Sequence, residues 1–282
     1  MNKIKLISDS TCDLSQALLE KHDIDIVPLY VNFNDESYKD LFDLQTEKMY
    51  ELVDKHGILP KTSAASPGDF HQVFKTYLEQ GCKIIYIGLG SKFSATFTSA
   101  NTAKQLLESN DIYLIDSSNL SSGTGLLLLK TAKFIEEGLE VEEIVRRIEA
   151  LVPRVRSQFV IDTLDYLHKG GRVSTLSALM GGMLRIKPII KVRNGEMVVG
   201  KKARGSIRKG IDLLIEEFLG LKDMIDNEFV MITHSLAHES SLYIEERLKK
   251  EVQIEHLYET NAGCVISSHC GKGTIGILYI MK

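Results

Sequence analysis

Length, composition and charge narrow the functions open to this chain. Its 282 residues, 44% of them hydrophobic, can bury one large core or two modest cores. The formal net charge of -4 gives no general attraction to nucleic acid or to an anionic membrane surface, so neither is an expected partner. Four scattered cysteines, an N-terminus unlike a signal peptide and the absence of a long apolar stretch predict a cytoplasmic protein without stable membrane insertion.

The first half of the chain alternates predicted strands with predicted helices. Apolar, β-branched runs predict strands at residues 4–7, 24–33, 83–87 and 112–115. Pro28 lies inside the second run, which favours an edge position for that strand. The predicted helices cover residues 14–21 with Asp13 as N-cap, 43–56, 94–109 and 141–151, and another begins at Ser66-Pro67 with Asp69 in its first turn. This alternation predicts a parallel sheet flanked by helices.

Turns rich in hydroxyl groups follow several of these strands. The clearest is Gly88-Leu89-Gly90-Ser91, after which Ser94 and Thr96 begin a helix. Unpaired N–H groups at a helix N-terminus favour a carboxylate or a phosphate, although a serine there is also an ordinary cap. The turns of a parallel sheet gather at one edge, where ligands bind. The sequence therefore predicts a ligand crevice lined by hydroxyl groups.

The pattern changes from residue 157 onward. A strand at 158–161, a short helix at 163–168 and a basic glycine turn at 169–172 precede a β-hairpin over 185–199, whose Asn194-Gly195 pair is typical of a type I′ turn. Helices at 207–219 and 239–250 alternate with strands at 229–233 and 254–258, and we expect a strand, a glycine-rich bend and a last strand from 265 to 277. We therefore predict an N-terminal parallel-sheet α/β domain over 1–156 and a C-terminal α+β domain over 157–282.

Common catalytic motifs are mostly absent from the sequence. Gly271, Gly273 and Gly276 match GxGxxG but stand too near the C-terminus for a dinucleotide fold, so no cofactor is expected. His234 and His238 are four residues apart without the remainder of an HExxH motif, so no metal is expected. Two functions stay open at this point. They are an acyl hydrolase or acyltransferase using Ser94 as nucleophile with a histidine such as His269 as base, and a module that binds a small anion or phospho-ligand.

Segments spread over nearly the whole chain resemble the DegV family. These segments are residues 8–14, 62–63, 91–96, 116–117, 167–172, 186–189 and 269–271, in family order. The resemblance implies a two-domain α/β fold that holds one long-chain fatty acid between its domains, with the carboxylate at the turns of Thr62 and Ser94. It also implies service as the fatty-acid-binding subunit of a bacterial fatty acid kinase, which presents the carboxylate to a separate kinase protein.

We therefore predict a lipid-binding carrier without catalytic residues of its own. Its fatty-acid-binding residues are predicted to be Thr62, Ser94, His269 and Arg172. Arg204 belongs to a basic cluster just before a predicted helix, and we expect it to contact the partner kinase or a phosphate, although a merely solvated face remains the alternative.

Overall fold

The computed structural model describes residues 3–172 and 186–282 of the chain. In chain order the strands are β1 (Ile4–Asp9), β2 (Ile24–Val27), β3 (Tyr30–Phe33), β4 (Glu36–Lys39), β5 (Lys61–Ser63), β6 (Lys83–Gly88), β7 (Ile112–Asp116), β8 (Val155–Val160), β9 (Ile186–Arg193), β10 (Glu196–Arg204), β11 (Ile225–His234), β12 (His256–Asn261) and β13 (Ile275–Met281). The α-helices are α1 (Gln16–Lys21), α2 (Thr46–His56), α3 (Pro67–Glu79), α4 (Thr96–Leu107), α5 (Ser122–Glu136), α6 (Val141–Leu151), α7 (Asp165–Lys169), α8 (Ile207–Leu219), α9 (His238–Glu251) and α10 (Cys264–Cys270).

A four-stranded parallel sheet in the order β2-β1-β6-β7 forms the centre of the first half. Its apolar strands are covered on both faces, by α3 and α4 on one side and by α5 and α6 on the other. Burial on both faces explains why these strands are continuous apolar runs in the sequence. The predicted parallel α/β architecture is confirmed.

A six-stranded mixed sheet in the order β10-β9-β8-β13-β11-β12 organises the second half. Helices α8 and α9 pack on one face of this sheet, and α5 contacts its other face. The hairpin of β9 and β10 turns at Asn194 and Gly195 with φ of 53° and 75°, as predicted from the Asn-Gly pair. Arg185, where this hairpin was predicted to begin, lies outside the described residues. The predicted mixture of helices and hairpins is confirmed for this half.

The predicted single strand over residues 24–33 is wrong. The chain forms β2 in the parallel sheet and β3 in a small antiparallel sheet of order β4-β3-β5. Pro28 separates the two strands because it has no N–H to donate, and the following Leu29 N–H donates to Ser10 Oγ instead. The edge position expected for this run holds for β2, which lies at the edge of its sheet, but is wrong for β3, which lies between β4 and β5. This break at Pro28 allows β3 to pair with β5, where Val31 lies opposite Thr62, one of the predicted binding residues.

The predicted strand beginning at Val265 is also wrong, because residues 264–270 form α10. Two distant carboxylates hold the start of this helix. Asp13 Oδ1 accepts from the N–H of Gly263 and Asp40 Oδ1 from the N–H of Cys264, both at 2.8 Å. Asp13 was predicted to cap α1, but Ser15 is the N-cap of that helix. Tertiary partners for the first N–H groups therefore favour helix in a segment whose β-branched residues favour strand.

Two further features bear on the predicted organisation. Strand β8 covers Val155–Val160, so the predicted domain boundary between residues 156 and 157 falls inside a strand, and this division of the chain stays a prediction. Among residues 3–172 and 186–282, none of the helices combines the length and the apolar character needed to cross a membrane.

Candidate functional site

A pocket with about 900 Å³ of empty space, part of it open to solvent, is lined by residues from both halves of the chain. Most of its wall is apolar, and the larger apolar side chains include Leu29, Leu89, Phe93, Leu120, Phe159, Leu167, Met197, Val265, Ile266 and Leu278. Pockets with a mostly apolar wall and a few polar groups accommodate small organic ligands. The predicted residues Thr62, Ser94, Arg172 and His269 all line this same pocket.

Strand pairing positions the hydroxyl of Thr62 in the pocket wall, and a glycine turn positions that of Ser94. Thr62 is the middle residue of β5 and is held by its pairing with β3. Ser94 stands just before α4, where its Oγ accepts from the N–H of Thr96 at 3.2 Å. The turn from β6 to α4 requires glycine at position 90, because a Cβ there would lie 2.9 Å from the backbone N of Asn119.

His269 lies beside Thr62 in the wall of the pocket. Its Nε2 is 2.8 Å from Thr62 Oγ1, and its buried Nδ1 has no hydrogen-bond partner among the described residues. Burial, with the Arg172 guanidinium as a second cause, lowers the pKa of His269 to about 4. The imidazole is therefore neutral at pH 7, and its Nδ1 is buried against the turn at Gly170.

Arg172 brings positive charge to the same region. Its guanidinium donates to Gly170 O at 2.7 Å and to Phe93 O at 3.5 Å, so it is held next to the residue preceding Ser94. Among the lining residues that the structure describes, Arg172 is the one with a permanent charge. An anionic group in the pocket is therefore most favourable here.

Other polar side chains line the pocket but are already engaged within the protein. Ser235 Oγ bonds with the Tyr50 hydroxyl at 2.7 Å, and Thr274 Oγ1 donates to Cys270 O at 2.7 Å. The remaining members of this group, each with a partner in the chain, are Ser63, Ser121, Thr233 and His234. Because their bonds are satisfied internally, these groups offer less to a ligand than the charged side chain of Arg172 does.

The geometry does not favour Ser94 as a nucleophile. Its Oγ lies 2.9 Å from Thr96 Oγ1, and the hydrogen bonds of the described residues include none between Ser94 and a histidine. His269, the candidate base, uses Nε2 toward Thr62 and has a lowered pKa. An activated serine needs a base within hydrogen-bond reach that can take its proton. The hydrolase or acyltransferase alternative therefore finds no support in this arrangement.

Arg204 lies outside the pocket. It is the last residue of β10 and is exposed, as are its neighbours Lys201 and Lys202. No ion pair of Arg204 occurs within the described parts of the chain. Its guanidinium is therefore accessible to another molecule on the outer surface.

His234 and His238 have a third neighbour that sequence spacing did not indicate. Glu259 Oε1 lies 2.6 Å from His234 Nε2 and 2.9 Å from His238 Nδ1, a grouping with the size of a metal site. However, His234 Nδ1 accepts from the N–H of Ala237 at 3.1 Å, so in the neutral imidazole the proton sits on Nε2. A protonated nitrogen cannot ligate a metal, and the contact with Glu259 is best described as a hydrogen bond.

Three residues that support the pocket were missed from the sequence. A Cβ on Gly170 would lie well under 3.0 Å from His269 Nδ1, so only glycine leaves room for this imidazole. Asp13 and Asp40 anchor α10, which carries His269, and burial raises the pKa of Asp13 to about 8 and that of Asp40 to about 6. The sequence indicates a turn at the glycine pair after Lys169, but it does not indicate that Gly170 contacts the distant His269.

Comparisons with known proteins agree with this fold. A family model described as "Uncharacterised protein, DegV family" matches residues 3–282. A DegV domain-containing protein of Clostridium acetobutylicum is 36% identical over 282 residues and is covered completely, as is this chain. A solved structure described as showing fatty acid binding of a DegV family protein from Thermus thermophilus superposes with a TM-score of 0.93 at 27% identity, covering 99% of this chain and 100% of that chain. DegV from Bacillus subtilis, described as a fatty acid binding protein, gives a TM-score of 0.86 at 30% identity, with 100% of each chain covered.

Proposed function

This chain belongs to the DegV family, and we propose that it binds one long-chain fatty acid in the pocket, with the carboxylate at Thr62, Ser94, Arg172 and His269. The relatives from Thermus thermophilus and Bacillus subtilis, both described as binding fatty acid, support this proposal because the whole chain shares their fold. The proposed ligand is one small molecule with an apolar tail and a single anionic head.

The distribution of polarity in the pocket carries the proposal. An apolar wall suits a hydrocarbon chain, and burial at roughly 0.8 kcal/mol per methylene gives on the order of 10 kcal/mol for about 16 carbons before ordering costs. A carboxylate taken out of water requires charged or hydrogen-bonding donors, and Arg172 with the hydroxyl groups of Thr62 and Ser94 offers them at one place. Neutral His269 belongs to the same group through its Nε2, which lies 2.8 Å from Thr62 Oγ1.

We propose further that the protein is a carrier and that a separate kinase phosphorylates the bound carboxylate. In this proposal the pocket lies between an N-terminal domain of residues 1–156 and a C-terminal domain of residues 157–282. Lining residues drawn from both halves of the chain support the arrangement. Exposed Arg204 then serves the encounter with the kinase or with the transferred phosphate, and not the retention of the ligand.

Extraction of the purified protein with organic solvent, followed by mass spectrometry, tests the first proposal. We expect a stoichiometric long-chain fatty acid in the wild type and less in Arg172→Gln, which removes the charge but keeps polar side-chain atoms. A protein that folds, carries no fatty acid and takes up none when it is offered would overturn the proposal. If the wild type hydrolyses acyl esters and Ser94→Ala does not, the protein is an acyl hydrolase or acyltransferase and the carrier proposal is wrong.

Reconstitution with a cognate kinase tests the second proposal. Wild type and Arg204→Ala are loaded with fatty acid, mixed with kinase and ATP, and assayed for acyl phosphate. We expect Arg204→Ala to retain the ligand but to lose most of the acyl phosphate yield. Arg146→Ala, which removes an exposed arginine from α6, is the matched control and should behave as wild type. Equal yields from all three proteins would reject the role of Arg204.

A further inference from the structure

The sheet face opposite the pocket contains a second concentration of polar groups. Phe159 and Leu278 point toward the pocket, whereas the alternate residues on the same strands point toward the side covered by α8. On that side Tyr279 of β13 pairs directly with Arg156 of β8. Arg193 of β9 continues this row. Gln158 of β8 pairs with Lys191 of β9, and because these strands are antiparallel, Arg156 and Arg193 each lie two residues from that pair in the same direction along the sheet. Side chains in such directly opposed pairs start about 5 Å apart.

Two buried hydrogen-bond donors in this region have no partner among the described residues. The Tyr279 hydroxyl belongs to a residue with 0% exposure and the Gln158 side-chain amide nitrogen to one with 2%, and neither forms a hydrogen bond within the described residues. Buried polar groups in native proteins are nearly always paired, so an orphaned group indicates a water molecule or an ion at that point. Both of these groups can donate hydrogen bonds.

The charges of this region are also uncompensated. Among the described residues, Arg156 Nη1 donates only to backbone, to Pro153 O at 2.7 Å and to Val155 O at 3.0 Å, and Arg193 Nη1 donates to Val192 O at 3.3 Å. Within the described parts of the chain neither guanidinium forms an ion pair with a carboxylate. Burial, and next the charge of Arg193, lower the pKa of Arg156, so the two cations repel each other.

The neighbouring lysines do not relieve this excess of positive charge. Lys191 Nζ lies 2.7 Å and Lys201 Nζ 3.7 Å from the carboxylate of Glu217, which is the one acidic side chain paired in this region. Two lysines thus share a single carboxylate, and neither Arg156 nor Arg193 has a carboxylate partner among the described residues. A water molecule satisfies the Tyr279 hydroxyl but neutralises neither guanidinium, whereas an anion does both.

We propose that Arg156, Arg193 and Tyr279 form a binding site for a phosphate group, separate from the lipid pocket. Phosphate matches the donors because it offers several acceptor oxygens and up to two negative charges, and paired guanidinium forks bind it in a bidentate manner. The ligand is inorganic phosphate or a small phosphate monoester. The competing explanation is that both arginines only stabilise the negative C-terminal end of α8, which ends nearby at Leu219.

Thermal unfolding and ³¹P NMR of the full chain, titrated at constant ionic strength with sodium chloride as counterbalance, test the proposal. Inorganic phosphate and methyl phosphate are the two probes, and acetate is the monovalent control. We expect a saturable rise in Tm and saturable ³¹P line broadening with phosphate but not with acetate. A response to both probes identifies a site open to monoesters, and a response to inorganic phosphate alone identifies a site for the free ion. Absence of saturation with both probes would overturn the proposal.

Three variants separate ligand binding from structural support. Tyr279→Phe removes an unpaired buried hydroxyl, so without phosphate its Tm should equal or exceed that of the wild type, while its phosphate affinity falls about tenfold. Arg193→Gln should weaken phosphate binding by at least the same factor. Arg154→Gln, at an exposed arginine two residues from Arg156, should change neither value. If Arg154→Gln and Arg193→Gln weaken phosphate binding equally, the binding reflects only the general positive charge of the surface and the site is rejected. Unchanged phosphate affinity in both Tyr279→Phe and Arg193→Gln would also reject the site.

Discussion

Thr62→Ala tests the proposed position of the carboxylate most directly. The substitution removes the hydroxyl that lies 2.8 Å from His269 Nε2 and leaves the apolar wall of the pocket unchanged. A hydrogen bond to a charged group is worth about 1.5–3 kcal/mol, which corresponds to a loss of about 10- to 150-fold in affinity for a fatty acid. We expect Ser94→Ala to cause a similar loss, because its hydroxyl is the other one proposed to meet the carboxylate.

The assay compares two ligands that differ only in their head group. Binding of a saturated fatty acid of about 16 carbons and of the corresponding fatty alcohol is measured by calorimetry, with a chain long enough for the methylene contribution to dominate both affinities. Because the alcohol has no charge, Thr62→Ala should weaken acid binding strongly and alcohol binding less than about threefold. Thr62→Ser, which keeps the hydroxyl, should restore most of the acid affinity.

Thr98→Ala is the matched control, since Thr98 carries the same side chain on the exposed side of α4. It should bind acid and alcohol as the wild type does. Equal losses for acid and alcohol in Thr62→Ala would show that the substitution damages the pocket in general. Unchanged acid affinity in the Thr62→Ala, Ser94→Ala double variant would refute the head-group assignment outright.

Three other substitutions test how the site and the fold are supported. Gly170→Ala should displace the His269 imidazole and reduce the extracted fatty acid about tenfold, as measured by mass spectrometry against Gly68→Ala at an exposed position with room for a Cβ. Replacement of His269 by Asn should flatten the pH dependence of stability. The folded-state pKa of about 4 lies below the unfolded value near 6.5, so stability from the neutral imidazole is complete above pH 6.5 and is lost toward pH 4, by up to roughly 3 kcal/mol in urea titrations. Lys130→Met should lower the free energy of unfolding by about 3 kcal/mol, because it leaves the Asp226 and Glu228 carboxylates without their largely buried partner, and an unchanged urea midpoint would contradict this.

Features governed by neighbours in the chain were predicted from the sequence. The start of α3, with Ser66 before Pro67 and Asp69 in the first turn, is present as expected, and the structure shows in addition that Ser66 and Asp69 form a capping box. This start was predictable because the side chains that satisfy the first N–H groups lie within one turn. The strands of the parallel sheet are recognisable because burial on both faces demands continuous apolar residues. The hairpin at Asn194-Gly195 follows from the positive φ that these residues tolerate.

Features governed by distant partners required the tertiary structure. Residues 264–270 contain β-branched residues typical of a strand, yet Asp13 and Asp40 satisfy the start of a helix from more than two hundred positions away. The run over 24–33 has the apolar pattern of one strand, but its two halves pair with different sheets. Local preference amounts to a fraction of a kcal/mol per residue, so a few long-range hydrogen bonds and the burial they permit outweigh it.

The candidate site itself combines both kinds of information. The resemblance to the DegV family, together with the hydroxyl-rich and basic turns, indicated Thr62, Ser94, Arg172 and His269 as separate points along the sequence. Their convergence depends on β5 pairing with β3 and on the helical form of α10, which bring Thr62 and His269 to 2.8 Å although 207 residues separate them. The residue types determine which ligand chemistry is possible, and the packing of sheets and helices decides which of those residues meet, because contacts between distant segments are set by burial of the whole core and not by local sequence.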